Sequence, residues 1–169
     1  MVKYQMDFLD ISLILPALFC SLVTGLIFTY AIVVMPGLAK LNDRDFIKAF
    51  QVTDGIIQNN QPLFMIIWIG SIISIILLIL SSIVSFGFYG AWFVLLTAAC
   101  YLVGVQGITI TIHLPLNNKI QKLNVSKLNG LKLGEERIGF ETKWKFYNNI
   151  RTAIGLAVSL ILLIILALR

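Results

Sequence analysis

Three groups of polar residues stand in or at the ends of apolar stretches, and their imidazole, guanidinium, amide and hydroxyl groups are the kind that bind ligands and move protons. The first is Thr109, Thr111, His113, Asn117 and Asn118 around Pro115, where a proline break would free backbone carbonyls for water or a ligand; a plain helix exit would read the same way. The second is Trp144, Tyr147, Asn148 and Arg151, whose spacing places Trp144, Asn148 and Arg151 on one helical face. Arg151 falls about one turn inside an aromatic and basic collar, so its guanidinium either snorkels to headgroups or pairs with something inside. The third is Thr24, Gly25, Thr29 and Tyr30, close to Met35-Pro36-Gly37, which could face the other two groups or simply pack helices together. His113 is the only histidine and no carboxylate pair accompanies it in an apolar run, which argues against a metal site built by the protein. Cys20 and Cys100 lie inside apolar runs without CxxC spacing and read as small packing residues.

The elements that must position these groups are membrane helices. Of 169 residues 59% are apolar and 12% charged, and no Asp, Glu, Lys or Arg occurs between Asp54 and Lys119. Soluble domains carry about 25% charged residues, so the surrounding solvent is hydrocarbon. The net charge of +5 resides in the connections, without a stacking platform or motif for nucleic acid, and no nucleic-acid partner is expected. The sequence predicts an all-α, integral membrane four-helix bundle in a single domain, 1–169, with helices at about 9–35, 62–85, 90–113 and 146–168. The first apolar run is too long for a signal peptide, and Met35-Pro36-Gly37 reads as a helix stop. An amphipathic interfacial helix is expected at about 43–58: Asn42 can cap it, and Phe46, Phe50, Thr53 and Ile57 form a stripe that suits either a membrane surface or the side of the bundle.

Lys40, Arg44 and Lys48 follow helix one, and Lys119, Lys122, Lys127, Lys132, Arg137, Lys143 and Lys145 follow helix three, while the opposite side has Lys3 and Arg169. The positive-inside rule therefore puts segments 36–61 and 114–145 in the cytoplasm and both termini outside, in a multi-pass protein of the plasma (inner) membrane.

Gly25 to Gly37 ending in Val34-Met35-Pro36-Gly37-Leu38, then Pro115-Leu116-Asn117, then Trp144-x-x-Tyr147-Asn148-x-x-Arg151-Thr152, occur in an order and spacing that resemble small four-helix membrane proteins related to the fungal anthrone oxygenases. The family pattern usually has asparagine where His113 stands and tryptophan where Tyr147 stands. The resemblance implies an oxygenase that converts an anthrone-like, lipophilic aromatic substrate with dioxygen as co-substrate, and no cofactor is predicted. It implies His113 as base, Arg151 as enolate partner, and Asn117 and Asn148 as orienting donors; Trp144, Tyr147, Tyr30 and Met35 would contact the substrate. The competing readings are a non-enzymatic binder of a lipophilic small molecule, a subunit of a larger membrane complex, and a transporter, the last weakened by the lack of repeats. Partners are the lipid bilayer and the small molecule, with a homo-oligomer plausible because four helices enclose little space.

Overall fold

The computed structural model describes residues 8–169, and among them the chain is helical, without strands. Five helices follow in order: α1 (Phe8–Leu38), α2 (Asp43–Gln58), α3 (Pro62–Gly90), α4 (Trp92–Gln121) and α5 (Gly130–Ala167). All but α2 are long and apolar enough to cross a bilayer. Hydrocarbon offers no partner for backbone N–H and C=O groups, so these runs close their bonds within helices. Ile66, Ile69, Ile73, Leu80 and Val84 point outward from α3, an apolar surface suited to lipid rather than water. Lys3, part of the charge asymmetry above, lies outside the described residues.

Helix α1 is the centre of the bundle, packed along α3 on one side and α5 on the other. The contact with α5 is close: a Cβ on Gly155 would stand 2.7 Å from Thr24 Oγ1 and 3.1 Å from Thr24 Cγ2. Thr24 is therefore a packing residue, with Ser159 Oγ 3.4 Å from its hydroxyl. Helices α3 and α4 meet at the hairpin, where Gly87 takes φ 68°. Away from it they splay, joined at mid-depth by the bond from Gln106 Nε2 to Ser71 Oγ, 3.0 Å. The hairpin is thus a wedge, open toward the end of the bundle that carries α2.

Three boundaries differ from the sequence expectation. Helix α4 does not stop at His113 but runs through Pro115 to Gln121, helix α3 continues from 85 to Gly90, and α5 starts at Gly130 rather than near 146. The reason for the last is a buried seam at helical spacing, Leu133, Phe140, Trp144, Asn148 and Arg151, that continues back into the charged region. Asn129 caps this extension, accepting from the Lys132 N–H at 2.9 Å.

Helix α2 lies against that extension. Asn42 caps it as expected, accepting from the Asp45 N–H at 3.0 Å. Its stripe, Phe46, Ile47 and Phe50, is fully buried against Ile120, Leu133, Phe140 and Trp144, so it is covered by protein rather than by headgroups. Arg137 fastens the α1–α2 connection: its guanidinium donates to the carbonyls of Leu41 (2.7 Å) and Ala39 (2.9 Å), pairs with Asp43 at 3.0 Å, and covers the Phe46 ring.

The glycine contacts yield a paired expectation. Gly155→Ala lowers thermal stability in detergent by about 1–3 kcal/mol through overpacking. Gly25→Ala, whose new Cβ meets nothing within 4 Å, leaves stability unchanged or raises it by up to about 1 kcal/mol. Circular-dichroism melts of the two variants check this.

Candidate functional site

The two prolines near the polar end do not break their helices. Before Pro36, residues Tyr30–Val34 form a π-helical turn, and the Met35 N–H reaches back to the Tyr30 carbonyl. Before Pro115, residues Thr109–His113 do the same, with the Leu114 N–H bonded to the Thr109 carbonyl. A proline cannot donate an α-helical bond and its ring crowds the carbonyl four residues back; a wider turn just ahead accommodates both problems. The expected release of carbonyls around Pro115 is replaced by this change of register. Its consequence is lateral: π turns rotate the side chains on either side of them, and they recur at functional sites in other proteins.

Between these turns, in the open part of the α3–α4 wedge, lies a cavity of about 230 Å³ that all five helices line. Its walls include Leu26, Ile27, Phe64, Met65 and Trp68, and its polar groups include Tyr30, Asp54, Thr109, His113, Asn117, Trp144 and Arg151. The combination of a mainly apolar wall with a few converging polar groups is what small-molecule sites show, although this one is smaller than the usual range of about 300–1,000 Å³.

Arg151 turns inward rather than snorkelling and is 6% exposed. Its Nε and Nη2 donate to Asn148 Oδ1 at 3.0 and 2.8 Å, and Nη1 donates to Thr109 Oγ1 at 2.9 Å. Asn148 is itself fixed, donating from Nδ2 to the Ile27 carbonyl of α1 at 3.1 Å. The Thr109 hydroxyl in turn donates to the Val105 carbonyl at 2.7 Å. Every acceptor on this guanidinium is neutral; among the described residues it has no carboxylate partner. Two of its five N–H donors stay uncommitted. The effective penalty for burying an ion is on the order of several kcal/mol, and these neutral hydrogen bonds offset only part of it.

His113 is 1% exposed, and among the described residues no group bonds either of its ring nitrogens. Its ring meets Trp144 edge to face at 5.0 Å, while the Arg151 guanidinium lies 5.6 Å from the Trp144 ring centre. Tyr30 approaches the same indole at 5.6 Å, its ring tilted by 43°. A polar wall runs away from Arg151: Trp144 Nε1 donates to Asn117 Oδ1 at 3.0 Å, and Asn117 Nδ2 donates to Asp54 Oδ1 at 2.8 Å. Gln121 Nε2 donates to Asp54 Oδ2 at 3.1 Å. Burial raises the Asp54 carboxyl above its ordinary value, opposed by the amides of Gln121, Gln58 and Asn117.

Of the residues singled out from the sequence, His113, Arg151, Asn117, Trp144 and Tyr30 line this cavity together. Asn148 does not reach it and acts behind Arg151. Met35 and Tyr147 are not at the cavity: Met35 is enclosed in the aromatic cluster under α2, and Tyr147 packs on Phe146. Thr111 and Thr29 bond back to the carbonyls of Gly107 and Gly25 and face outward, and Asn118 is exposed. Asp54 is the group that sequence reasoning missed. It reads there as part of the polar face of α2, and only its position one turn after Phe50, on the buried stripe, could have flagged it.

A small multi-pass membrane protein with a chemically equipped cavity at one end of its bundle is the class that fold and site define. The sequence profile of the anthrone oxygenases matches residues 63–161, and the chain belongs to that family. No curated protein and no solved structure matches the chain.

The raised Asp54 carboxyl has a stability consequence with a definite sign. The fold favours its protonated form, so its contribution is complete below the ordinary carboxylate range, about pH 4, and is lost as pH rises through the higher folded value. Melting wild type and Asp54→Asn across pH should show the wild-type advantage shrinking or reversing as pH increases; an advantage that grows with pH contradicts this.

Proposed function

We propose that the chain is a membrane-embedded oxygenase that takes a lipophilic aromatic substrate of the anthrone type and oxidises it with dioxygen. One observation carries the reading: a buried guanidinium with no ion-pair partner and an imidazole with no hydrogen-bond partner, among the described residues, face one cavity. A merely structural cluster would use these groups up on one another. Family membership supports the same reaction class.

The chemistry asks little of the protein beyond those groups. An anthrone ring CH₂ is acidic because its anion is an aromatic enolate. His113 removes that proton, and Arg151 donates its free N–H groups to the enolate oxygen, where charge develops. The enolate passes an electron to dioxygen, and the radical pair closes a carbon–oxygen bond. Protonation gives a hydroperoxide, and loss of water leaves the second carbonyl of the anthraquinone. One dioxygen is consumed and one water released per substrate, with the substrate as the only reductant. Asn148 and Thr109 hold the guanidinium in place, and Trp144 and Trp68 contribute aromatic wall to the cavity that receives the flat ring system. The wedge between α3 and α4 suits a substrate that arrives through the bilayer. The basic residues around α2 and the start of α5 support, by the positive-inside rule, a cytoplasmic position for this end with both termini outside.

Purified protein in detergent, given emodin anthrone and air, is expected to form anthraquinone faster than buffer does. Arg151→Ala and His113→Ala, once shown to melt like wild type, each lose about a hundredfold or more of that gain. Wild type that matches buffer contradicts the proposal.

A further inference from the structure

Asp54 is the carboxylate at the cavity for which the proposed oxidation has no role. It reaches the site from α2, outside the segment that matches the family profile, and is 3% exposed. Among the described residues no Lys, Arg or His forms an ion pair with it. Its bonded donors are neutral amides, Asn117 on Oδ1 and Gln121 on Oδ2, with the Gln58 amide nearby. A carboxylate offers about four acceptor positions, so the amides leave capacity over, on a residue that lines the cavity.

The placement along the wall matters as much as the free capacity. The Arg151 guanidinium lies over the Trp144 ring, and Asp54 is reached from the indole N–H through the Asn117 amide. Arg151 and Asp54 both line the cavity, so a flat ligand with an oxygen at Arg151 can extend its far edge toward Asp54. An unsubstituted apolar edge there would strip the carboxyl of further bonding, whereas a hydroxyl would supply a donor. Every protein donor on Asp54 is uncharged, and a hydroxyl continues that pattern.

We propose that Asp54 accepts a hydrogen bond from an aromatic hydroxyl on the edge of the ligand distal to the oxygen received by Arg151, and so makes the cavity select hydroxylated ring systems. This rests on the reading that the cavity takes a flat aromatic ligand. It adds a specificity-determining residue that orients the ring so that its reacting carbon is presented to His113.

Binding tests it without turnover. Trp68 and Trp144 line the cavity, so quenching of tryptophan fluorescence in detergent reports occupancy. The probes are anthraquinone, 2-hydroxyanthraquinone and 2-methoxyanthraquinone, which differ at one edge. Wild type is expected to bind the hydroxy compound about tenfold more tightly than the methoxy compound. Asp54→Ala should lose that preference while binding anthraquinone as wild type does, which also shows that its cavity is intact. Asp54→Asn, which keeps an acceptor of the same size without the charge, should retain part of it. Equal binding of hydroxy and methoxy probes by wild type, or a preference unchanged in both variants, overturns the role of Asp54 alone. Failure of wild type to bind any of the three overturns the reading of the cavity and this inference with it.

Discussion

A guanidinium enclosed near the membrane boundary without a carboxylate beside it is the constraint around which this bundle is organised. Arg151 keeps its charge in place because neutral oxygens are assembled for it: the Asn148 amide takes two of its N–H groups and the Thr109 hydroxyl a third. Those acceptors are held in turn by the main chain of two further stretches, the Ile27 carbonyl of α1 and the Val105 carbonyl of α4. One side chain thus ties together three spanning helices. Neutral hydrogen bonds compensate part of the desolvation of a cation and leave its net charge uncancelled. In a soluble core a paired carboxylate would complete the arrangement; here the uncancelled charge faces a cavity.

Two solutions to the same backbone problem shape that cavity. Pro36 and Pro115 each follow a π-helical turn, and those turns carry Tyr30, Thr109 and His113, which line it. The splay of α3 from α4 supplies the space, and α2 closes the polar end by seating Phe46 and Phe50 against Phe140 and Trp144. The aromatic packing beneath α2 and the polar wall at the cavity share Trp144. Its indole ring supports Phe50 and Tyr30, and its N–H orients Asn117. Packing of the polar-end segments and geometry of the site are therefore one interaction set.

The architecture is readable from the chain because lipid enforces it. Long uncharged runs have one way to satisfy their backbone, and caps such as Asn42 mark where they begin. The face formed by Trp144, Asn148 and Arg151 is legible from spacing alone. The early start of α5 is harder to see, because Leu133 and Phe140 continue the seam among Lys, Glu and Arg residues that look like a solvated loop. Arg137 belongs to that stretch, and its bonds to the carbonyls of Ala39 and Leu41 join residues far apart in sequence, which no local pattern announces. Asp54 was hidden for a similar reason: one acid among several on a short amphipathic helix resembles surface charge until α4 packs Asn117 and Gln121 onto it. Met35 shows the reverse, a residue beside a proline motif that proves to be fully enclosed packing.

The most direct measurement of the central claim is the ionisation of a bound hydroxyanthraquinone dye, followed by its visible absorption as pH is varied in detergent. If Arg151 receives an anionic oxygen, the dye bound to Asp54→Ala protein, where no carboxylate meets its hydroxyl, ionises at lower pH than the same dye in empty micelles, by about one unit for each 1.4 kcal/mol of preference for the anion, and adding Arg151→Gln removes the shift. A bound dye that ionises at the same or higher pH, or a shift that persists in Arg151→Gln, contradicts the account.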